Sequence, residues 1–332
     1  MNALIDETKT GRRTEEFIER DGKIFVDTVY FGGGTPSLLS VNQLEKIMSA
    51  VRESFILSED SEITVECNPS SSDLADFLKG AASLGVNRIS LGMQSSSDSE
   101  RRILGRAGGK KAVSDAVEFS RNAGIENISL DIMTGVPEST ISTLKDSLDF
   151  ALSLGVPHIS SYMLKIEEGT YYYKNRDKLN LPSEDMTADM YLFMASYLKE
   201  KGFLHYEVSN FCQGGKLSRH NMKYWELKSY IGIGAAAHSF YGGKRFYFPS
   251  DMNSFISGGK AVYDGEGGDA DELLMLSLRT YKGISLSNRN PDFLKKINLF
   301  CEKGLGICEN DRFSLTSQGF LVSNSIISAL ID

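Results

Sequence analysis

The stretch YFGGGTPS at residues 30–37 closes a β-branched and aromatic run that begins at residue 24. Three consecutive glycines at the end of a strand let a ligand approach the backbone closely. A P-loop would require a Gly-Lys-Ser/Thr ending, and a dinucleotide fingerprint would require spaced glycines; the stretch has neither. Taken alone, it fits either a ligand-binding loop or a tight strand-to-loop turn.

Strand-like and helical segments alternate along the first two-thirds of the chain. Apolar residues recur at helical spacing after each β-branched run, and each pair of segments takes about 30–40 residues. Strands are expected at 24–31, 62–67, 87–93, 127–133 and 158–164, and helices between them at 41–55, 72–84, 111–123 and 140–154. This alternation predicts either a (β/α) barrel or a doubly wound parallel sheet.

Polar residues of an unusual kind lie where these strands end. They are the glycine loop at 32–35, Glu66, Gln94 and Asp131. Barrel enzymes build their sites at the C-terminal ends of their strands, so these positions favour a TIM-like barrel. An aspartate inside an apolar strand is costly to bury unless it has a partner or a ligand. Each residue alone is a weak signal, whereas one per βα unit predicts a shared site.

The remaining chain departs from this period. We predict a partial barrel over 1–240, a glycine-dense loop or linker at 241–268, and a small C-terminal domain at 269–332. Helical patterns followed by a short β signal at 312–315 predict that the last part is a helical, winged-helix-like domain.

Composition excludes several classes of protein. The 332 residues carry a formal charge of −8, which argues against nucleic acid as a partner. No apolar run approaches the roughly 18 residues of a membrane span, and no signal peptide precedes the polar start. The cysteines Cys67, Cys212, Cys301 and Cys308 are too scattered for a disulfide framework or a tight metal cluster. This scatter predicts a reducing cytoplasm, and the closest pair, Cys301 and Cys308, is expected to be ordinary, mostly buried thiols.

The motifs FGGGTPS, ECNP, RISLGMQS, DIMTGVP, EEGT and SRHNMKYW, in this order, resemble the oxygen-independent coproporphyrinogen III oxidase-like radical SAM family. The resemblance covers nearly the whole chain. It implies a radical SAM-type barrel that binds S-adenosylmethionine (SAM). The residues implied for SAM are Gly33, Gly34, Thr35, Glu66, Gln94, Arg106 and Asp131. Carboxylates suit the ribose hydroxyls and the amino group of SAM, and a guanidinium suits its carboxylate.

The HNxxYW motif at 220–225 is similar to the one that marks the haem-chaperone (HemW) branch of this family. The resemblance implies haem binding by His220, Tyr224 and Trp225, with His220 as the iron ligand, and a haem-requiring respiratory enzyme as the client. A structural role for His220 is the competing interpretation. The other functions left open are coproporphyrinogen III oxidase, an enzyme acting on a phosphorylated metabolite, and a non-enzymatic haem-binding module.

Family members hold a [4Fe–4S] cluster with a CxxxCxxC segment after their first strand, and this sequence has none. Either a late start or a genuinely cluster-less relative would explain its absence, and the first barrel strand is expected to be missing with it. In both cases we predict no catalytic residue and no reductive cleavage of SAM by this polypeptide. An unpaired barrel edge would also favour association.

Overall fold

The computed structural model describes residues 1–18 and 22–331. Its largest element is a curled seven-stranded sheet with the strand order β1-β2-β3-β4-β5-β7-β6. The first five strands are parallel, β7 pairs antiparallel with β5, and β6 pairs antiparallel with β7. The strands are β1 (Ile24–Phe31), β2 (Phe55–Cys67), β3 (Arg88–Gln94), β4 (Asn127–Thr134), β5 (His158–Met163), β6 (Leu204–Glu207) and β7 (Asn210–Cys212). The predicted partial barrel is confirmed.

Helices cover the convex face of this sheet. In the central strands β2, β3 and β4 buried apolar residues alternate with polar ones, as Ile89 and Leu91 do with Ser90, and the apolar set is buried beneath the helices. The helices of this region are α1 (Asn2–Thr10), α2 (Val41–Ser54), α3 (Leu74–Ser83), α4 (Asp98–Ile103), α5 (Lys110–Asn122), α6 (Ile141–Ser153), α7 (Tyr171–Asn175), α8 (Glu184–Glu200) and α9 (Arg219–Trp225). The first helix is shorter than the helix-like start 1–17, because Gly11 ends it in a left-handed conformation.

The concave face carries the polar set. Strands of a parallel sheet that is covered on both faces are usually apolar throughout. Here the strict alternation places only one face in the hydrophobic core, and the other lines the interior of the half-barrel. Strand β1 lies at the edge of the sheet and pairs with β2 alone among the strands that the structure describes.

Helix α9 lies against the concave side of β1 and β2. The Glu62 carboxylate accepts hydrogen bonds from the backbone N–H groups of Arg219 and His220, each at 3.0 Å. Lys223, one turn further, forms an ion pair of 2.6 Å with Asp27. A buried carboxylate at the start of a helix satisfies N–H groups that have no partner within the helix. Glu62 therefore fixes the position of α9 in the half-barrel.

Residues 241–268, predicted as a loop or linker, have regular structure instead. Together with His238–Tyr241 they form a three-stranded antiparallel sheet in the order β10-β9-β8. Its elements are β8 (His238–Tyr241), β9 (Lys244–Tyr247), α10 (Met252–Ile256) and β10 (Val262–Glu266). The linker interpretation is therefore corrected.

The C-terminal part combines four helices with a three-stranded antiparallel sheet in the order β11-β13-β12. Its elements are α11 (Ala270–Ser277), β11 (Ile284–Ser285), α12 (Pro291–Glu302), β12 (Gly306–Glu309), β13 (Arg312–Leu315), α13 (Ser317–Leu321) and α14 (Ser323–Ile331). The β signal at 312–315 is confirmed, and the division into three domains stays a prediction.

The structure also bears on the predictions about membrane spans and cysteines. Among residues 1–18 and 22–331, no helix combines the length and apolar character needed to cross a bilayer. Cys301 and Cys308, expected to be mostly buried, are half-buried and exposed, with their Sγ atoms 3.3 Å apart, whereas Cys67 and Cys212 are buried.

Replacing Glu62 by Gln tests the anchoring of α9. One amide oxygen cannot replace two charge-assisted contacts, so the free energy of unfolding should fall by about 1.5–3 kcal/mol. Urea denaturation measures this change. The matched control is Glu59→Gln, on the same strand but exposed, which should change stability by less than about 0.5 kcal/mol. Equal effects of the two substitutions would contradict the anchoring role.

Candidate functional site

The strand ends bring two acidic residues onto the concave face. In the sheet register, Glu66 pairs with Ser90, and Asp131 pairs with Gly92 and Ser160. Asp131 Oδ1 accepts a hydrogen bond from Ser90 Oγ at 3.0 Å. Parallel strands with a period of two residues dictate this placement, because alternate side chains share one face. Glu66 and Asp131 therefore line the same surface, as the sequence predicted.

Burial is the main influence on the pKa of Asp131, and it raises that pKa to about 6. Hydrogen bonds from Ser90 and Ser160 and the positive charge of Arg88 oppose the rise, while the negative charge of Glu66 adds to it. A buried carboxyl with a raised pKa on a concave surface is a candidate functional residue.

Tyr30 is a neighbour of this site that the sequence analysis missed. Its hydroxyl donates a hydrogen bond of 2.7 Å to Glu66 Oε1. Burial first, and then the Glu66 charge, raises the pKa of Tyr30 above its usual range. The phenol is therefore a fixed donor at any physiological pH. The only sequence signal was the alternation in β1, which places residue 30 on the polar face.

Gln94 has two features of a ligand-binding residue. Its backbone lies in the left-handed region, with φ at 66°, which is uncommon for any residue other than glycine. Its side chain is buried, and Oε1 has no hydrogen-bond partner among the described residues. Strain and an unsatisfied buried acceptor together are the features expected where a ligand supplies the missing donor.

The glycine loop is open on the side away from the strand. Gly33 and Gly34 have φ angles of 79° and 32°, and a Cβ built on either would meet no atom within 4 Å. Thr35 follows directly and begins the 3₁₀ turn Pro36–Leu38. The backbone of this loop is therefore accessible, which is the property that close approach of a ligand requires.

Arg106 lies apart from the acids. It is exposed on the loop between α4 and α5. The buried guanidinium of Arg101 shapes this loop, donating to the carbonyls of Met93, Ala107 and Gly108 at 2.6–2.8 Å. The Arg106 backbone N–H donates to the Arg101 carbonyl at 2.9 Å, and its guanidinium has no hydrogen bond or ion pair among residues 1–18 and 22–331.

Arg88 is a buried cation at the centre of the concave face, and the sequence analysis did not select it. Its side chain is 2% exposed, and its Nη2 lies 3.5 Å from Nδ1 of His158. His158 Nε2 lies 2.8 Å from the Tyr206 hydroxyl, and burial holds the pKa of His158 well below its usual range. His158 is therefore a neutral histidine held in place by its hydrogen-bond partners.

His220 is held at both ring nitrogens. Nδ1 lies 2.9 Å from Thr28 Oγ1, and Nε2 lies 2.9 Å from the hydroxyl of Tyr224, one helical turn away. The imidazole also stacks on the Tyr30 ring, with centroids 4.9 Å apart. Burial first, then the charges of Lys223 and Arg88, lowers the pKa of His220 to about 4. The ring is therefore neutral at pH 7.

The two aromatic residues of the HNxxYW motif differ in surroundings. Tyr224 is 40% exposed and meets Tyr230 edge-on, with centroids 4.6 Å apart. Trp225 packs against a small buried cluster that contains Tyr206 and Met222. Tyr224 is therefore accessible to a ligand, and Trp225 chiefly supports the base of the helix.

The described residues do not fit an iron–sulphur cluster. Within residues 1–18 and 22–331, no three side chains of the histidine, cysteine, aspartate or glutamate type are grouped to hold a metal. Cys67 is buried in β2, and burial raises its pKa to about 12. The thiolate that a cluster requires is therefore disfavoured there.

This fold and this placement of acids at strand ends define a radical SAM protein. Residues 7–151 match the radical SAM superfamily. Membership implies SAM and a [4Fe–4S] cluster as the cofactors of the superfamily.

Two curated relatives narrow the assignment, and both are named heme chaperone HemW. The protein of Lactococcus lactis subsp. lactis (strain IL1403) is 33% identical in an alignment of 321 residues that covers 92% of this chain and 84% of the relative. That of Bacillus subtilis (strain 168) is 35% identical in an alignment of 337 residues, gaps included, that covers 95% of this chain and 88% of the relative. The chain belongs to the HemW family of radical SAM proteins.

A solved structure shares the fold. The coproporphyrinogen III oxidase HemN from Escherichia coli, described as a radical SAM enzyme, superposes with a TM-score of 0.79. It is 20% identical, and the match covers 99% of this chain and 82% of that one. At this identity the likeness shows the architecture alone.

Two substitutions should move the pKa of Asp131 in opposite directions. Arg88→Met removes a positive charge and should raise that pKa above 6, whereas Glu66→Gln removes a negative charge and should lower it. Carbon-detected NMR of the Asp131 carboxyl measures both. Shifts of the same sign, or none, would contradict this account of the site.

The raised pKa of Asp131 also determines a pH dependence of stability. The folded state binds the proton more tightly than the unfolded state, so the contribution of Asp131 is full at low pH and is lost as the pH rises through about 6.

Proposed function

We propose that this protein binds haem on a SAM-binding half-barrel and delivers the haem to another protein. The observation that carries the proposal is that the HNxxYW helix and the acids at the strand ends occupy one concave surface, with His220 stacked on Tyr30 beside Glu66. The curated relatives named heme chaperone support it. The expected recipient is a haem-requiring respiratory enzyme, and the expected compartment is the cytoplasm.

The residues at the strand ends fit SAM. Gln94 has a buried acceptor without a partner in the described part of the chain, and Asp131 is a carboxyl with a raised pKa. Glu66 and Asp131 would accept hydrogen bonds from ribose hydroxyls or the amino group, and the backbone at Gly33, Gly34 and Thr35 would lie against the ligand. Arg106 would reach the carboxylate from its exposed loop.

SAM supplies a sulphonium group that is a source of radicals only when a reduced cluster delivers an electron to it. Because the described residues do not fit a cluster, we derive no catalytic step for this chain. The residues of this chain bind and orient the ligand and exclude water from it. The proposed haem delivery therefore needs no SAM cleavage, whereas an oxidase function depends on it.

His220 has the protonation state that a haem ligand requires. A metal binds the neutral imidazole, and burial already holds the pKa of His220 at about 4. Nδ1 keeps its contact with Thr28, which orients the ring as second partners orient metal-bound histidines. Nε2 must exchange its contact with the Tyr224 hydroxyl for the iron. Tyr224, being exposed, can turn away from the ring.

A hemin titration of the purified chain tests the proposal. We expect a saturable Soret shift that is lost in His220→Ala. The matched control is His238→Ala, because His238 is an exposed histidine stacked on Tyr247; it should bind hemin as the wild type does. An unchanged spectrum in His220→Ala would remove His220 as the ligand.

Tyr224→Phe tests whether the tyrosine hydroxyl and the haem iron compete for His220 Nε2. It keeps the aromatic ring but removes the hydroxyl that competes for Nε2, a hydrogen bond of about 0.5–1.5 kcal/mol. Hemin should therefore bind about two- to tenfold more tightly to this variant. Weaker binding would show that the tyrosine hydroxyl is required for haem binding.

A further inference from the structure

The two ligand sites of the proposed function meet at a single residue, Tyr30. One face of its ring stacks on His220, with centroids 4.9 Å apart and planes inclined by 23°. Its hydroxyl donates to Glu66 Oε1 at 2.7 Å. We infer that Tyr30 is a positioning residue that couples haem binding at His220 to SAM binding at Glu66. The inference rests on the proposed function and adds a linkage between its two sites.

The glycine loop packs against the same pair of side chains, Tyr30 and Glu66. A Cβ on Gly32 would lie 2.7 Å from Tyr30 Cε1 and 3.1 Å from Glu66 Oε1, distances that no side chain tolerates without displacing both groups. The backbone of the loop therefore packs directly on the Tyr30–Glu66 pair. A shift of the Tyr30 ring is transmitted to the acid and to the loop, the two elements expected to contact SAM.

At the ring face where Tyr30 stacks on His220, the imidazole and the start of α9 are held in place. Glu62 fixes the start of α9, and Thr28 fixes His220 Nδ1. The side chain that must yield when iron binds Nε2 is Tyr224, which lies on the far side of the imidazole from Thr28. Haem binding would thus leave His220 stacked on Tyr30. It would restrain the imidazole by a bond to iron in place of the contact with Tyr224.

The sign of the coupling follows from this geometry. His220 and Tyr30 are already in place, and a bond from iron to Nε2 would restrain His220 more than its contact with the Tyr224 hydroxyl does. Tyr30, stacked on His220, would then hold Glu66 more firmly before SAM arrives. The second ligand then loses less conformational entropy on binding, which gives positive cooperativity. Linkage requires that each ligand tighten the other by the same factor.

Calorimetric titration of the full chain with SAM, without hemin and at saturating hemin, tests the inference. Hemin should tighten SAM binding about fivefold or more in the wild type. Tyr30→Phe keeps the stacked ring but removes the donor to Glu66, so the effect of hemin should fall below about twofold while both ligands still bind. Hemin titrations with and without SAM should give the same factor.

Tyr263→Phe is the matched control. Tyr263 also donates to a glutamate, Glu266, at 2.7 Å, but on the surface of the β8–β10 sheet. This variant should retain the wild-type linkage. Urea denaturation of both variants shows whether they are folded.

The outcomes separate the inference from the proposed function. If both ligands bind and neither affects the other, or if Tyr30→Phe keeps the wild-type linkage, the coupling is wrong and the proposed function stands. If the wild type binds only one of the two ligands, or neither, the proposed function fails and the coupling with it. Weaker SAM binding in the presence of hemin would contradict the sign.

Discussion

The Glu62 carboxylate is the contact on which the candidate site depends. It receives the first two N–H groups of α9, while the Ser218 hydroxyl caps the same helix through Asn221. A seven-residue helix is too short to be stable by itself, so its position is determined by what binds its ends. With its start fixed at β2, the helix directs His220 onto the polar face of the sheet. The haem-type motif thereby lies beside the SAM-type acids.

The polar interior follows from the strand alternation. The central strands β2, β3 and β4 place apolar residues under the helices and polar residues on the concave face. Charged groups on that face are buried although the sheet is only a half-barrel. Arg88 shows the consequence. Its guanidinium is buried, its Nε has no partner among the described residues, and its charge acts on Asp131, His158 and His220. Pairing within this network, rather than burial of apolar area, determines which ligands the face accepts.

Much of the fold and part of the site could be predicted from the sequence. Strand periodicity and the parallel order put Glu66, Gln94 and Asp131 at neighbouring strand ends, because strand ends of a parallel sheet lie on one edge. The roles of these three residues as ligand contacts stay predictions. Tyr30 and Glu62 could not be selected, because their partners are distant in sequence and no local pattern marks them.

The error at 241–268 has a physical reason. Glycine density was interpreted as a flexible linker, yet Gly242 and Gly243 adopt the left-handed conformations that a two-residue hairpin turn requires, with φ at 58° and 79°. They join the aromatic strands β8 and β9, and Phe246 packs against Phe17 with centroids 4.6 Å apart. Two glycines between two aromatic runs are a sequence pattern that predicts such a hairpin.

The central claim is that one concave surface holds both ligands at the same time. Native mass spectrometry of the chain incubated with SAM and hemin measures this directly, because each bound species has its own mass. The account predicts a complex of one chain, one SAM and one hemin. Separate binary complexes without any ternary species, at concentrations that saturate each ligand alone, would contradict it.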